Sequence, residues 1–392
     1  MNQYAVPTKE SRRLPWIDGA RGFAIFGIFV VNIGAFSAPY FLYGGASNTS
    51  PVDQFIEVLI DIFFQASFYT LFSLLFGFGF QMMKDSLVEK NLSVFPVLGR
   101  RLMMLIIFGL IHAFLIWHGD ILLTYGIIGL FLLAFLHVKG KTLLAWALVL
   151  MGVSVGLISI SLYDFRHYLG QANFFAAEQA INHYQSGNLL KIWEQNYRDW
   201  VYANGGESYF LLIGTLLPLF LVGMLIAKKR WLHEPEKHQP FLRRLWLVSL
   251  VMFAGLKAGP YMFGNPAWFS MIQDNIGGAF SALFYILSIT FLFQMPRISK
   301  LFKPFQYVGR MALTNYIAQS LICFVLFYIV GLYSSITPAS SMLIVVIIYS
   351  IQVVWSKWLL ARFRFGPLEW LWRSVTYKKV QKLRRKEEAK IL

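Results

Sequence analysis

Cysteine is nearly missing from these 392 residues: the one thiol, Cys323, sits in an apolar run with no second thiol to pair with. An internal disulfide is excluded, and the ordinary reading of Cys323 is a small core residue. No CxxC, HExxH or comparable ligand spacing occurs, so no metal site is read from the sequence. Charge is scarce as well. Asp, Glu, Lys and Arg make up 14% of the chain, where a globular domain carries about a quarter. What the chain has instead is hydrocarbon: 57% of its residues are hydrophobic and its mean hydropathy is +0.57. Apolar runs of helix length alternate with short basic loops, the pattern of an all-α, polytopic integral membrane protein.

Ten spans are expected in a single transmembrane domain, roughly 16–37, 55–82, 99–118, 120–136, 142–164, 208–228, 243–262, 276–294, 306–330 and 338–361. With both termini in the cytoplasm, 29 of the 35 lysines and arginines fall in segments on that side. This is the positive-inside bias. It accounts for the net charge of +16 without a nucleic-acid partner. Arg12 and Arg13 ahead of the first apolar run resemble the start of a signal peptide, but Asp18 and Arg21 inside the run argue against cleavage. The segment 165–207 is extracytoplasmic in this topology, and its polar and aromatic residues suit either a lid or an interfacial belt. Residues 362–392 read as an interfacial helix, Gly366–Arg373, followed by a basic cytoplasmic tail on anionic lipid.

Polar residues within lipid need a reason. Asp18 and Arg21 are one helical turn apart and can pair, and Asn32, eleven residues beyond Arg21, shares its face about 16 Å deeper. Asp53, Glu57, Asp61, Gln65, Tyr69 and Ser73 recur at every fourth position, a slanting stripe along one expected helix. Asp61 and Gln65 are its better candidates for buried function. His112 lies about 18 Å up its span from the basic pair Arg100 and Arg101, near the depth of Asn32. Asp120, past the Trp117–His118–Gly119 corner, is placed to approach the same cavity from its outer mouth. Hydrogen-bonded packing is the bland alternative for His112, as an ion pair is for Arg21. Lys257 near a span end reads as snorkelling to the interface. Arg310, Thr314, Asn315 and Gln319 read as a polar seam between helices or a further cavity wall.

The opening Asp18-Gly19-Ala20-Arg21-Gly22-Phe23-Ala24-Ile25 resembles the first-helix motif of the transmembrane acyltransferases. The hairpin GLIHAFLIWHGDILLTYGIIGL, with YTLFSLLFGFGFQMM (69–83), VGRMALTNYIAQS (308–320) and GPLEWLWR (366–373), is similar to the YeiB family, whose domain is called DUF418. Four separated motifs recur in order, so that resemblance covers nearly the whole chain. The link onward to the acyltransferases rests on the first helix and the general architecture. Where the related sugar O-acyltransferases carry a histidine after the first-helix arginine, this chain has Asn32. His112 is the one histidine at similar depth inside a span.

The resemblance implies a multi-pass protein of the bacterial cytoplasmic (inner) membrane that moves an acyl group, acetyl above all, from acyl-CoA to a glycan or lipid-linked acceptor. His112 would be the base or acyl carrier, Asn32 an oxyanion donor, and Asp120 or Asp61 the group orienting the imidazole. Arg21, Arg100, Arg101 and Arg310 would clamp the phosphates of acyl-CoA (acetyl-CoA) at the inner mouth. A secondary transporter with inverted five-helix halves is the alternative, and a non-catalytic scaffold a third reading. Membrane lipids are expected partners, and a homo-oligomer is compatible with the sequence.

Overall fold

The computed structural model describes residues 13–43, 50–206 and 208–385, so Lys9, Arg12, Lys386 and Lys390 of the basic segments lie outside the described residues. Among the described residues there is no strand beyond one isolated bridge, Phe363 with Arg384. In chain order the helices are α1 (Pro15–Ser37), α2 (Pro51–Phe63), α3 (Ser67–Glu89), α4 (Val94–Leu115), α5 (Leu122–Phe131), α6 (Gly140–Asp164), α7 (Phe174–Tyr184) and α8 (Leu189–Asn204). There follow α9 (Ser208–Lys228), α10 (Gln239–Phe253), α11 (Gly278–Phe293), α12 (Pro296–Leu301), α13 (Lys303–Arg310), α14 (Ala312–Cys323), α15 (Pro338–Arg362) and α16 (Pro367–Thr376).

Nine helical segments among the described residues are long and apolar enough to cross a membrane, which makes this a multi-pass membrane protein. The tenth expected span is shorter. Helical from Leu122 to Phe135, it covers about 21 Å of a hydrocarbon core about 30 Å thick. Burial separates centre from periphery: the apolar windows of α9 and α1 are 72% and 61% buried, those of α6 and α10 only 22%. The exposed faces of α6 (Leu148, Val153, Leu157) and α15 (Leu343, Val346, Ile351) are hydrocarbon, as a lipid-facing surface requires.

Lipid offers no hydrophobic gain for helix pairing, so close backbone approach has to do that work. Gly22 of α1 lies against the Phe305 carbonyl of α13, and Gly309 of α13 against the Asp18 carbonyl of α1. A β-carbon at either position would collide with backbone.

One expected span is not continuous. The chain breaks between α2 and α3, where Ala66 adopts φ 59°. The Ala66 carbonyl freed by the break accepts from the Thr70 hydroxyl at 2.6 Å. Ser67 Oγ receives the Ser281 hydroxyl of α11 at 2.7 Å. A broken helix at membrane depth is stable where the surrounding protein supplies such partners. The stripe from Asp53 to Ser73 is therefore split in two. Asp53 itself is structural: it accepts from Ser50 and from the backbone of Ala339 at the start of α15.

The basic segments gather at one end of the bundle. Trp16 Nε1 donates to the Leu232 carbonyl, Lys228 Nζ to that of Val138, and Arg100 Nε to that of Thr376. At the opposite end α7 and α8 dock over the α4–α5 corner. Asn196 Nδ2 donates to the Ala113 carbonyl at 2.6 Å and Trp193 Nε1 to that of Leu115 at 3.1 Å. These are final carbonyls of α4, which have no partner within their own helix. Segment 165–207 thus caps a helix end as well as covering it.

Candidate functional site

Two apolar helices joined by the corner at 116–121 bring the first pair of polar groups together. α4 ends at Leu115, the chain turns back, and His112 Nδ1 comes to 2.8 Å from Asp120 Oδ1 with both side chains fully buried. The two atoms are close without being aligned as a hydrogen bond. The other carboxylate oxygen of Asp120 accepts the Leu123 backbone N–H at 2.6 Å and opens α5. A carboxylate facing Nδ1 favours the proton there, leaving Nε2 as acceptor. Nε2 meets no donor among the described residues. The ring lies against Tyr316 of α14, centroids 5.1 Å apart. The Tyr316 hydroxyl is itself buried, with no side-chain hydrogen-bond partner among the described residues.

Tyr316 is also a wall of a cavity of about 270 Å³ that starts at the basic end and runs between α1, α3, α4, α5, α14 and α16. Five guanidinium groups line it, from Arg13, Arg21, Arg101, Arg310 and Arg373, against two carboxylates, Asp18 and Glu369. Asp18 is engaged by Arg21 at 3.3 Å and Arg13 at 3.9 Å. Arg21 reaches across to α3 where Gly79 leaves it room: a β-carbon there would stand 3.2 Å from the guanidinium. The Arg101 guanidinium lies 3.7 Å over the Trp372 ring. Burial draws Arg373 below its ordinary pKa, Arg13 and Arg21 adding to that and Tyr377 and Glu369 opposing it. Glu369 is raised by its own burial although Thr314 holds both carboxylate oxygens, through its N–H at 3.0 Å and its hydroxyl at 2.6 Å. Beyond this rim the walls are apolar, with Ile25, Leu75, Phe76 and Leu105, and the cavity closes at Ile121, Tyr125 and Tyr316.

The residues expected from the sequence separate into three groups. Arg21, Arg101 and Arg310 line this cavity, and His112 and Asp120 stand directly behind its Tyr316 wall. Asn32 is half-buried and does not line the cavity. Arg100 is turned away, its Nε on the Thr376 carbonyl 2.9 Å distant, where it seats α16. Asp61 belongs to another cluster altogether. It accepts from the Tyr261 hydroxyl at 2.6 Å and Gln273 Nε2 at 3.0 Å, beside a recess of about 460 Å³ at the far end.

Lys257 does not snorkel: its side chain is 0% exposed, its Nζ 2.9 Å from Asp274 Oδ1 and 3.9 Å from Asp61 Oδ1. The seam is present where α14 meets α15, in Asn315 to Ser356 and Gln319 to Gln352, both at 2.9 Å. Sequence reasoning missed Arg13, Arg373 and Tyr316 as cavity residues. Arg373 stood in a stretch read only as interfacial, and Tyr316 carried no charge to draw notice.

The family model described as "Protein of unknown function (DUF418)" matches residues 226–379. The uncharacterized protein YxaH of Bacillus subtilis (strain 168) is 38% identical over 404 residues, covering 97% of this chain and 98% of its own. The uncharacterized protein YeiB of Escherichia coli (strain K12) is 30% identical over 384 residues, covering 92% and 95%. An uncharacterized 39.9 kDa protein from the amylase 3′ region of Bacillus acidopullulyticus is 29% identical over 387 residues, covering 98% and 99%. No solved structure matches. With alignments that run the length of both chains, this protein belongs to the YeiB family, the proteins that carry the DUF418 domain.

Proposed function

We propose that this chain is an acyltransferase of the bacterial cytoplasmic membrane that takes an acyl group, acetyl above all, from cytoplasmic acyl-CoA. The observation that carries the reading is the arginine-rimmed cavity ending beside the His112–Asp120 pair. Its basic mouth lies at the end that the positive-inside bias gives to the cytoplasm. Guanidinium groups in excess over carboxylates suit a phosphate-bearing ligand. The apolar bore behind them suits an extended arm. At about 270 Å³ the cavity is at the small end for ligand pockets, so it admits the thioester arm while the nucleotide stays at the rim.

His112 Nε2 takes the proton of an acceptor hydroxyl or amine as that atom bonds to the thioester carbonyl carbon. The carbon–sulfur bond then breaks, and the departing thiolate receives the proton back from His112. Asp120 holds the imidazole in the useful tautomer. Asn32 is not at the cavity, and the buried Tyr316 hydroxyl takes over the role of oxyanion donor. Because Tyr316 separates His112 from the cavity, its ring must swing for the reaction to proceed. The acceptor, a glycan or lipid-linked sugar, reaches the site from the membrane or the far side.

The test is release of the CoA thiol from acetyl-CoA by the purified protein in lipid bilayers. His112→Ala lowers the rate by about 10²–10⁴-fold, the usual worth of a general base. Equal rates in variant and wild type remove His112 from the mechanism. One observation favours a second reading, secondary transport: the far-end recess and the basic-end cavity open toward opposite faces. Solute flux across proteoliposomes with no CoA turnover would establish that reading instead.

A further inference from the structure

The recess at the far end is separate in place and chemistry from the arginine-rimmed cavity. It encloses about 460 Å³ and is lined by three carboxylates, Glu57, Asp61 and Asp274, with Tyr261, Asn265 and Gln273 among the polar groups around them. Among the described residues the one ammonium beside it, Lys257, is already committed to Asp274 and, more loosely, to Asp61, and no cation pairs with Glu57. Glu57 Oε1 is buried with no hydrogen-bond partner, and so is Asn265 Oδ1. Both orphaned atoms are acceptors, so an occupant has to bring donors, and the surplus of negative charge asks that it bring positive charge.

Among the described residues no three His, Cys, Asp or Glu side chains stand close enough together to hold a metal ion. Two stacked π-helical turns, Ala254–Ala258 and Ile272–Gly277, carry Lys257 and Asp274 into position. Such turns interrupt the regular ladder at a cost and are frequent at functional sites.

We infer that this recess binds a ligand carrying a protonated primary amine with hydroxyl groups beside it, its ammonium on Glu57 and its hydroxyls on the surrounding amides and Tyr261. A soluble amino alcohol and the ethanolamine headgroup of a lipid share the protonated primary amine, the headgroup presenting an ester oxygen where the amino alcohol has its hydroxyl. The site stands whether or not the cavity at the basic end transfers acyl groups.

The experiment is calorimetric titration of serinol into the full-length protein, held in nanodiscs of phosphatidylcholine and phosphatidylglycerol. Glycerol, which replaces the amine by a hydroxyl, is the matched neutral probe. Saturable binding of serinol, absent with glycerol and weakened at least about tenfold by Glu57→Gln, is the expected result. Glu57 Oε1 has no protein partner, so the isosteric variant keeps the wild-type thermal unfolding profile. A parallel titration in nanodiscs containing phosphatidylethanolamine tells the sources apart. Weaker apparent serinol affinity there marks the lipid headgroup as occupant, and unchanged affinity marks a soluble amine. No saturable binding, equal binding of glycerol, or full affinity in Glu57→Gln overturns the inference.

Discussion

Lys257 has no contact with water, and Asp274 and Asp61 are what make that tolerable. An ammonium taken out of water is costly, and two carboxylates at hydrogen-bonding and near-contact distance offset the loss. Removing it leaves Asp274, whose side chain is 28% exposed at the recess, without its cation. Water at the recess partly solvates that carboxylate, so Lys257→Ala is expected to cost about 1–3 kcal/mol of stability, below the range for a fully buried pair. Chemical denaturation in micelles would measure this, and a loss under about 0.5 kcal/mol would mean that the ion pair contributes nothing to the fold. His112 and Asp120 form a pair in which both side chains are fully buried, and it differs in kind. Lys257 is satisfied by its carboxylates, whereas Nε2 of His112 meets no donor among the described residues. That contrast is why the histidine, and not the lysine, is the one proposed for chemistry.

At the scale of elements, α7 and α8 are fastened over the α4–α5 corner by contacts that include a titratable group. His118 Nδ1 lies 3.8 Å from Asp199 Oδ2, which also accepts the Tyr184 hydroxyl at 2.7 Å. Burial pulls His118 below its ordinary 6.5, while Asp199 and Asn196 oppose the shift. The docked form therefore resists protonation more than the undocked form does. Docking is at full strength above pH 6.5 and weakens as pH falls below that value, where the undocked imidazole takes up its proton. Hydrogen exchange across 174–204, corrected for intrinsic rates, should accelerate between pH 7.5 and 5, and His118→Asn should flatten the difference. Exchange that ignores pH in the wild type would show that this contact is not what fastens the pair.

The elements were legible in the sequence wherever hydropathy alone decides. Span positions follow from the apolar runs, and α1 and α15 lie where they are expected. The interruption at Ala66 was not legible, because no glycine or proline marks it and its partners, Thr70 and Ser281, come from the fold.

For the molecule as a whole, helical arithmetic gave the height of a side chain in the membrane but not which neighbour it faces. Asp120 reached His112 because a short corner joins their helices, so chain connectivity fixed the pair. Asn32 and Asp61 had no such tie to His112. The packing order of α1, α2 and α4 sent Asp61 to another cluster and left Asn32 outside the cavity. The excess of basic residues was plain in the composition. That five arginines from four separate stretches of chain converge on one cavity was not.

The central claim is that this convergence exists to hold a phosphate-bearing thioester. Titrating acetyl-CoA into the protein in nanodiscs at about 0.1 M salt tests it most directly. Saturable binding that weakens with salt and falls at least about tenfold in Arg21→Ala and in Arg373→Ala is expected. Absence of saturable binding up to millimolar acetyl-CoA, or equal affinity in both arginine variants, would contradict it.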